Sequence, residues 1–118
     1  DGSDVEKAVQ AARKAFPQWS ALSPQERSQY LKLMAQKIDE NLDVLARAES
    51  RDNGKPVSVA KSVDIPRSSY NFRFYAEASA QTQSEAYETS ADVFNYVLHQ
   101  PLGVVGVISP WNLPLYLL

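Results

Sequence analysis

Ser109, Pro110, Trp111 and Asn112 follow directly on the apolar run Gly103-Val104-Val105-Gly106-Val107-Ile108. A short continuous apolar run suits a strand buried on both faces of a parallel sheet. In open α/β sheets, ligands bind beyond the carboxyl ends of such strands. The four residues have types that suit that place: Pro110 stiffens the exit, Trp111 offers a broad flat apolar surface, and Asn112 donates and accepts hydrogen bonds without titrating. An Asn NH2 group aimed at a developing oxyanion stabilises a tetrahedral intermediate. Asn112 is equally placed to cap a helix beginning at Leu113-Pro114, with Trp111 filling core. The two roles are compatible, because the side-chain oxygen can accept from a helix amide while the NH2 group points at substrate.

Other residues carry weaker signals. Gly103-x-x-Gly106 lies inside the expected strand and lacks the Lys-Ser/Thr of a phosphate-binding loop, so packing is its expected role. His99 is the single histidine and has no Cys partner, which argues against a metal centre. Glu77, Glu85 and Glu88 fall on polar segments that collect carboxylates routinely, and Tyr70, Phe72, Phe74 and Tyr75 read as packing aromatics. Cysteine is absent, which removes disulfides, thiolate metal sites and a cysteine nucleophile from this chain. Lys plus Arg number 12 against 14 for Asp plus Glu, a net charge of -2, so there is no basic footprint for a nucleic acid. No apolar run is long enough to span a bilayer, and residues 1–4 lack the character of a signal peptide, so a cytoplasmic location is expected.

The elements that must position these residues are mostly helical. Ser3 and Glu6 have capping-box spacing ahead of Val5, Ala8, Val9, Ala12 and Phe16, a helical stripe that Pro17 is expected to stop. Ser23, Pro24 and Glu26 signal a second start, followed by Leu31, Met34, Ala35, Ile38, Leu42 and Leu45. A break near residues 39–43 allows Asp43 to cap a separate short helix. Asp52-Asn53-Gly54-Lys55-Pro56 reads as a helix end running into a turn. Helix resumes at Val57, and Asp64 is expected to cap a fresh helix with Pro66 in its first turn and Ile65, Phe72, Tyr75, Ala76 and Ser79 on one side. Residues 81–92 lack an apolar period and read as loop, while residues 93–100 read as a strand. Both ends look cut, because an apolar run at residues 113–118 would expose Leu-Tyr-Leu-Leu, so the chain reads as a piece of a longer protein.

Three segments in the right order, GVVGVISPWNLP at residues 103–114, Asp52-Asn53-Gly54-Lys55-Pro56, and VEKAVQAARKAFPQWSALSPQERSQYL at residues 5–31, resemble the NAD(P)-dependent aldehyde dehydrogenases. The resemblance covers essentially the whole chain, and residues 64–76 and 109–118 lean towards the branch acting on muconate-type semialdehydes. It implies an α/β fold, with N-terminal helices leading into the first strands of a Rossmann-like parallel sheet, incomplete in this chain. Residues 1–80 would form the helical part of a cofactor-binding domain. Residues 81–100 would be the loop and strand of a subunit-bridging extension, and residues 101–118 the first parallel strand, the cofactor and oxyanion loop, and the start of a helix.

The same resemblance implies a mechanism: a cysteine thiolate attacks the aldehyde, the thiohemiacetal passes hydride to NAD (or NADP), and a glutamate-activated water releases the acid. Asn112 matches the side-chain oxyanion donor, and Ile108, Ser109, Pro110 and Trp111 match the stretch lying along the cofactor. Asp52 matches a position whose backbone carbonyl helps to hold a monovalent cation. A small aldehyde substrate and a homodimer or homotetramer follow from the resemblance. With no cysteine, these 118 residues alone should be inactive. The alternative is a non-catalytic helical interaction module.

Overall fold

Ser23 begins the packed helices as a reciprocal cap. Its hydroxyl accepts from the Glu26 backbone N–H at 3.2 Å, while the Glu26 carboxylate accepts from the Ser23 N–H at 2.7 Å. The computed structural model describes residues 1–118 in full, and the chain divides into two compact units. One comprises Ser23–Ala80 with Gly106–Leu118, the other Asp1–Leu22 with Gln81–Val105.

Within the first of these units, α2 (Pro24–Glu40) packs along α5 (Ile65–Ala80), and α3 (Leu42–Asn53) lies against the segment that leads into α5. Small side chains let α2 and α5 approach: Ser28 and Ala35 on one, Ser68, Ser69 and Ala76 on the other, all buried. The Ser69 hydroxyl donates to the Ala35 carbonyl at 3.3 Å, and the Ser68 hydroxyl donates to its own helix at the Asp64 carbonyl, 2.8 Å away. Ile38, Ala46, Ala60 and Ile65 form the core, flanked by Leu42, Leu45, Val57, Phe72 and Leu115. The expected helix stripes supply most of this set. Tyr75 is an exception at 62% exposed, stacked edge-on against Phe74.

The structure corrects the expected break at Asp64. The short α4 (Val57–Val59) passes into a π-helical turn (Ala60–Asp64) and on into α5 without interruption. The Ile65 N–H reaches back five residues to the Ala60 carbonyl. Pro66 has no N–H and its ring crowds the carbonyl four residues earlier. A widened turn just before it absorbs that mismatch without ending the helix. Asp64 is therefore buried inside a continuous helix rather than capping a new one. At the other expected break, Asn41 rather than Asp43 stands between α2 and α3, and Asp43 pairs instead with Lys61.

The second unit contains α1 (Gly2–Ala21) and a two-stranded antiparallel hairpin of β1 (Ala86–Ser90) and β2 (Val93–Tyr96). Asp1, not Ser3, caps α1, its carboxylate accepting from the Ser3 N–H at 2.8 Å and the Asp4 N–H at 3.3 Å. Pro17 lies inside α1 instead of ending it. The Arg13 carbonyl loses its donor there, which water can replace on a helix that buries no residue. β1 falls where a loop was expected, and every residue of it is exposed, so no apolar alternation marks it. β2 ends at Tyr96, short of the expected Gln100, and His99 lies beyond it, exposed. The apolar run at residues 103–108 forms no strand. β1 and β2 pair only with each other, no further strand pairs with the run, and Ile108 is 98% exposed. No helix of the chain is long and apolar enough to cross a membrane.

α3 ends at Gly54, whose φ of 78° is left-handed and whose N–H donates to the Ser50 carbonyl at 2.9 Å. A Cβ there would meet nothing within 4 Å, so a larger residue is penalised by backbone conformation alone. Gly54→Ala should destabilise the protein by about 1 kcal/mol, and Gly54→Asn by less, in urea unfolding. Equal stability of the alanine variant would contradict the left-handed turn.

Candidate active site

The turn that follows Gly54 delivers Lys55 into a nest of carboxylates. Asn53 Oδ1 accepts from the Lys55 backbone N–H at 3.0 Å, fixing the turn, and the Lys55 side chain folds back over α3. Its ammonium donates to Glu49 Oε1 at 3.0 Å and also to Asp64 Oδ2 on the π turn. The two carboxylate side chains are only 3% and 6% exposed. The third contact is to the Asn112 backbone carbonyl at 2.9 Å, which Asn53 Nδ2 also approaches at 3.5 Å. Glu49 Oε2 is buried with no hydrogen-bond partner in the chain. The cluster thus sets two carboxylates against one ammonium, and Lys55 is the cation that offsets them. Removing Lys55 alone would leave two buried carboxylates unpaired, a loss of about 3–5 kcal/mol.

Asn112 belongs to a compact turn, not to an extended helix. The Leu113 N–H donates to the Pro110 carbonyl at 3.3 Å and the Leu117 N–H to the Leu113 carbonyl at 3.1 Å. Leu115 inserts beside the core, and Asn71 Nδ2 donates to the Tyr116 carbonyl at 3.1 Å. These contacts bury the 113–116 side of the turn and leave its other side open. Asn112 is exposed, and its hydrogen bonds to the chain run through its backbone oxygen, so the side-chain amide does not act as a helix cap here. Trp111 is 82% exposed, Pro110 is exposed and Ser109 half-buried. Ile108 has nearly its full surface free. The expected filling of core by Trp111 is thus not what this chain does.

Asp52 lies in the last turn of α3, exposed, at the rim of an open cleft of about 350 Å³ that also touches Glu49 and Pro114. Carbonyls in a helix's last turn lack intrahelical donors and can ligate a cation. No group of three or more His, Cys, Asp or Glu side chains is placed to hold a metal. A larger groove of about 430 Å³ runs between Leu31, Phe72 and residues 115–118, but its lining is apolar and without convergent titratable groups other than tyrosines.

The residues that sequence reasoning missed are Lys55, Glu49 and Asp64. Lys55 stood only as part of a turn and Asp64 as a cap. One signal was present in Glu49, which lies on the stripe of Leu42, Leu45 and Ala46, where a carboxylate needs a buried partner.

Electrostatics follow the geometry. The hydrogen bond to Asp64, reinforced by Glu49 and opposed by burial, raises the Lys55 ammonium above its ordinary value of 10.5. A cation raised on folding stabilises fully below its unfolded value, and the benefit is lost as pH rises through its folded value. Stability should therefore fall above about pH 10.5 more steeply in the unsubstituted protein than in Lys55→Arg, whose guanidinium stays charged. Parallel curves of urea midpoint against pH for the two proteins would contradict the pairing.

Comparison with known proteins assigns the chain as a whole. A model of the aldehyde dehydrogenase family matches residues 1–118. The chain is 49% identical over 116 residues to the 2-aminomuconic semialdehyde dehydrogenase of Mus musculus, covering 98% of this chain and 24% of that protein. Among solved structures, an indole-3-acetaldehyde dehydrogenase from P. syringae, in complex with NAD+ and IAA, matches with a TM-score of 0.90 at 36% identity over 99% of this chain and 24% of that one. An E. coli NADP dependent enzyme matches with a TM-score of 0.87 at 31% identity over 98% of this chain and 24% of its own. The chain therefore spans about 24% of the length of these relatives. Their structures bear out the α/β, Rossmann-like class expected from the sequence, of which residues 1–118 form an incomplete part. The match of the family model over every residue, together with these likenesses, shows that the chain belongs to the aldehyde dehydrogenase family.

Proposed function

We propose that the chain is the N-terminal portion of an enzyme that oxidises a small aldehyde to its carboxylic acid with a nicotinamide cofactor. The single observation that carries this reading is the anchored turn at residues 109–112, which presents Asn112 and Trp111 outward while its backbone is tied to Lys55. In this reading the Asn112 NH2 group donates to the oxygen of the carbonyl under attack, where negative charge accumulates. The nucleophile comes from outside these residues, since none of the 118 is cysteine, and the 118 residues alone are inactive. A water activated by a glutamate from outside these residues would then release the acid.

The exposed apolar residues suit a cofactor. Ile108 and Trp111 leave broad surfaces uncovered by the chain's own core, and Ser109 and Pro110 connect them. When bound, the nicotinamide would supply the hydride acceptor. Ile108, Ser109, Pro110 and Trp111 would lie along the cofactor and orient it. NAD is the cofactor proposed, with NADP still open, in keeping with a relative solved with NAD+ and another described as NADP dependent. Asp52 offers one backbone oxygen to a monovalent cation, whose remaining ligands would come from elsewhere. The likeness to a 2-aminomuconic semialdehyde dehydrogenase supports a semialdehyde substrate.

Assembly as a homodimer or homotetramer belongs to the same proposal, with residues 81–100 as the joining extension. Its support is the exposed apolar character of Val93, Phe94, Tyr96 and Leu98. The helical parts in 1–80 and the loop in 101–118 serve the cofactor-binding domain, and the location is cytoplasmic.

In the complete enzyme, Asn112→Ala should lower kcat by about a hundred- to a thousand-fold while sparing NAD affinity. Asn112→Asp removes the donor but keeps an acceptor, so it should fold, bind NAD and turn over poorly. Near-normal turnover by Asn112→Asp would refute the oxyanion role.

A further inference from the structure

An oxyanion donor works only if its amide is held to within about 0.5 Å of the productive position. The turn at residues 109–112 does not supply that rigidity itself. Its internal bond from the Leu113 N–H to the Pro110 carbonyl is long, at 3.3 Å, and Pro110, Trp111 and Asn112 are open to solvent. Two groups at the end of α3 reach the Asn112 carbonyl: Asn53 Nδ2 at 3.5 Å and, closer at 2.9 Å, the ammonium of Lys55, 57 residues earlier in the chain. A free lysine stem is too mobile to fix anything. Here its ammonium is held from two further directions, by Glu49 on α3 and by Asp64 on the π turn. The π turn therefore has a use besides accommodating Pro66, because it carries the second carboxylate of the clamp.

We propose that Lys55 is a positioning residue whose ammonium, clamped between Glu49 and Asp64, sets the Asn112 backbone so that its side-chain amide faces the reacting carbonyl. The proposal rests on the reading of Asn112 as oxyanion donor. Lys55 acts through the Asn112 carbonyl and touches neither substrate nor cofactor.

The complete enzyme tests this with the charge-neutral combination Glu49→Gln, Lys55→Met and Asp64→Asn. Replacing a buried ion cluster by neutral groups of similar shape is often tolerated. Misplacing the donor should lower kcat by about ten- to a hundred-fold, leaving NAD affinity and the thermal midpoint close to those of the unsubstituted enzyme. In an Asn112→Ala background the same three substitutions should lower kcat no further, since the group they position is gone. Lys55→Arg keeps the positive charge but relocates the donors. It should lower kcat severalfold, with less loss than the triple variant, and it serves if the triple variant fails to fold. Unchanged kcat in a folded variant, or an equal further loss in the Asn112→Ala background, would overturn the proposal and leave the role of Asn112 standing. Unchanged turnover in Asn112→Ala alone would overturn both.

Discussion

One ammonium joins the parts of this chain that matter for chemistry. Lys55 lies between two carboxylates that the fold has taken out of water, and its remaining contact is the backbone oxygen of Asn112. Each element nearby has a shape that this arrangement requires. Gly54 in a left-handed conformation turns the chain so that Lys55 returns over α3. The π turn carries Asp64 inward within an unbroken helix. Leu115 locks the far side of the Asn112 turn against the core. Buried ion clusters of this kind contribute little net stability, since desolvation offsets much of the attraction. Their effect is geometric: two helices and a distant turn are held in one relation.

The small side chains between α2 and α5 make that geometry possible. Ala35, Ser68, Ser69 and Ala76 allow close approach, and the buried hydroxyls of the two serines find carbonyl acceptors. A larger residue at Ala35 or Ala76 would meet a core with no room, and such overpacking strains side chains and backbone together. The Arg73 guanidinium adds a cross-link at the edge of the same contact, donating to Asp39 on α2 and to Ser69. It holds the Asp39 carboxyl below the ordinary carboxylate range.

The helices were legible in the sequence where periodicity and capping agreed, as at Ser23, Pro24 and Glu26 and again at Gly54. Local rules failed where two of them competed. Pro66 suggested a new helix, but a widened turn let one helix continue through it. Pro17 suggested an end that an exposed helix did not need. β1 was invisible because every residue in it is exposed, leaving no apolar alternation to detect. The run at residues 103–108 has strand composition, but a strand requires a partner, which is a property of the whole sheet rather than of the run. Ser109 to Asn112 stood out by residue type and position. Lys55 did not, because its role depends on meeting Glu49, Asp64 and Asn112 in space.

Catalysis by this turn depends on whether Lys55 sets the position of Asn112. A crystal structure of the complete enzyme carrying the charge-neutral substitutions at Glu49, Lys55 and Asp64, compared with the unsubstituted enzyme in the same crystal form, measures this directly. With Lys55 as the positioning residue, α2, α3 and α5 should superpose while the Asn112 backbone and amide shift by about 1 Å or lose order, a displacement large enough to matter for catalysis. An Asn112 that keeps its place without the ammonium would contradict that role.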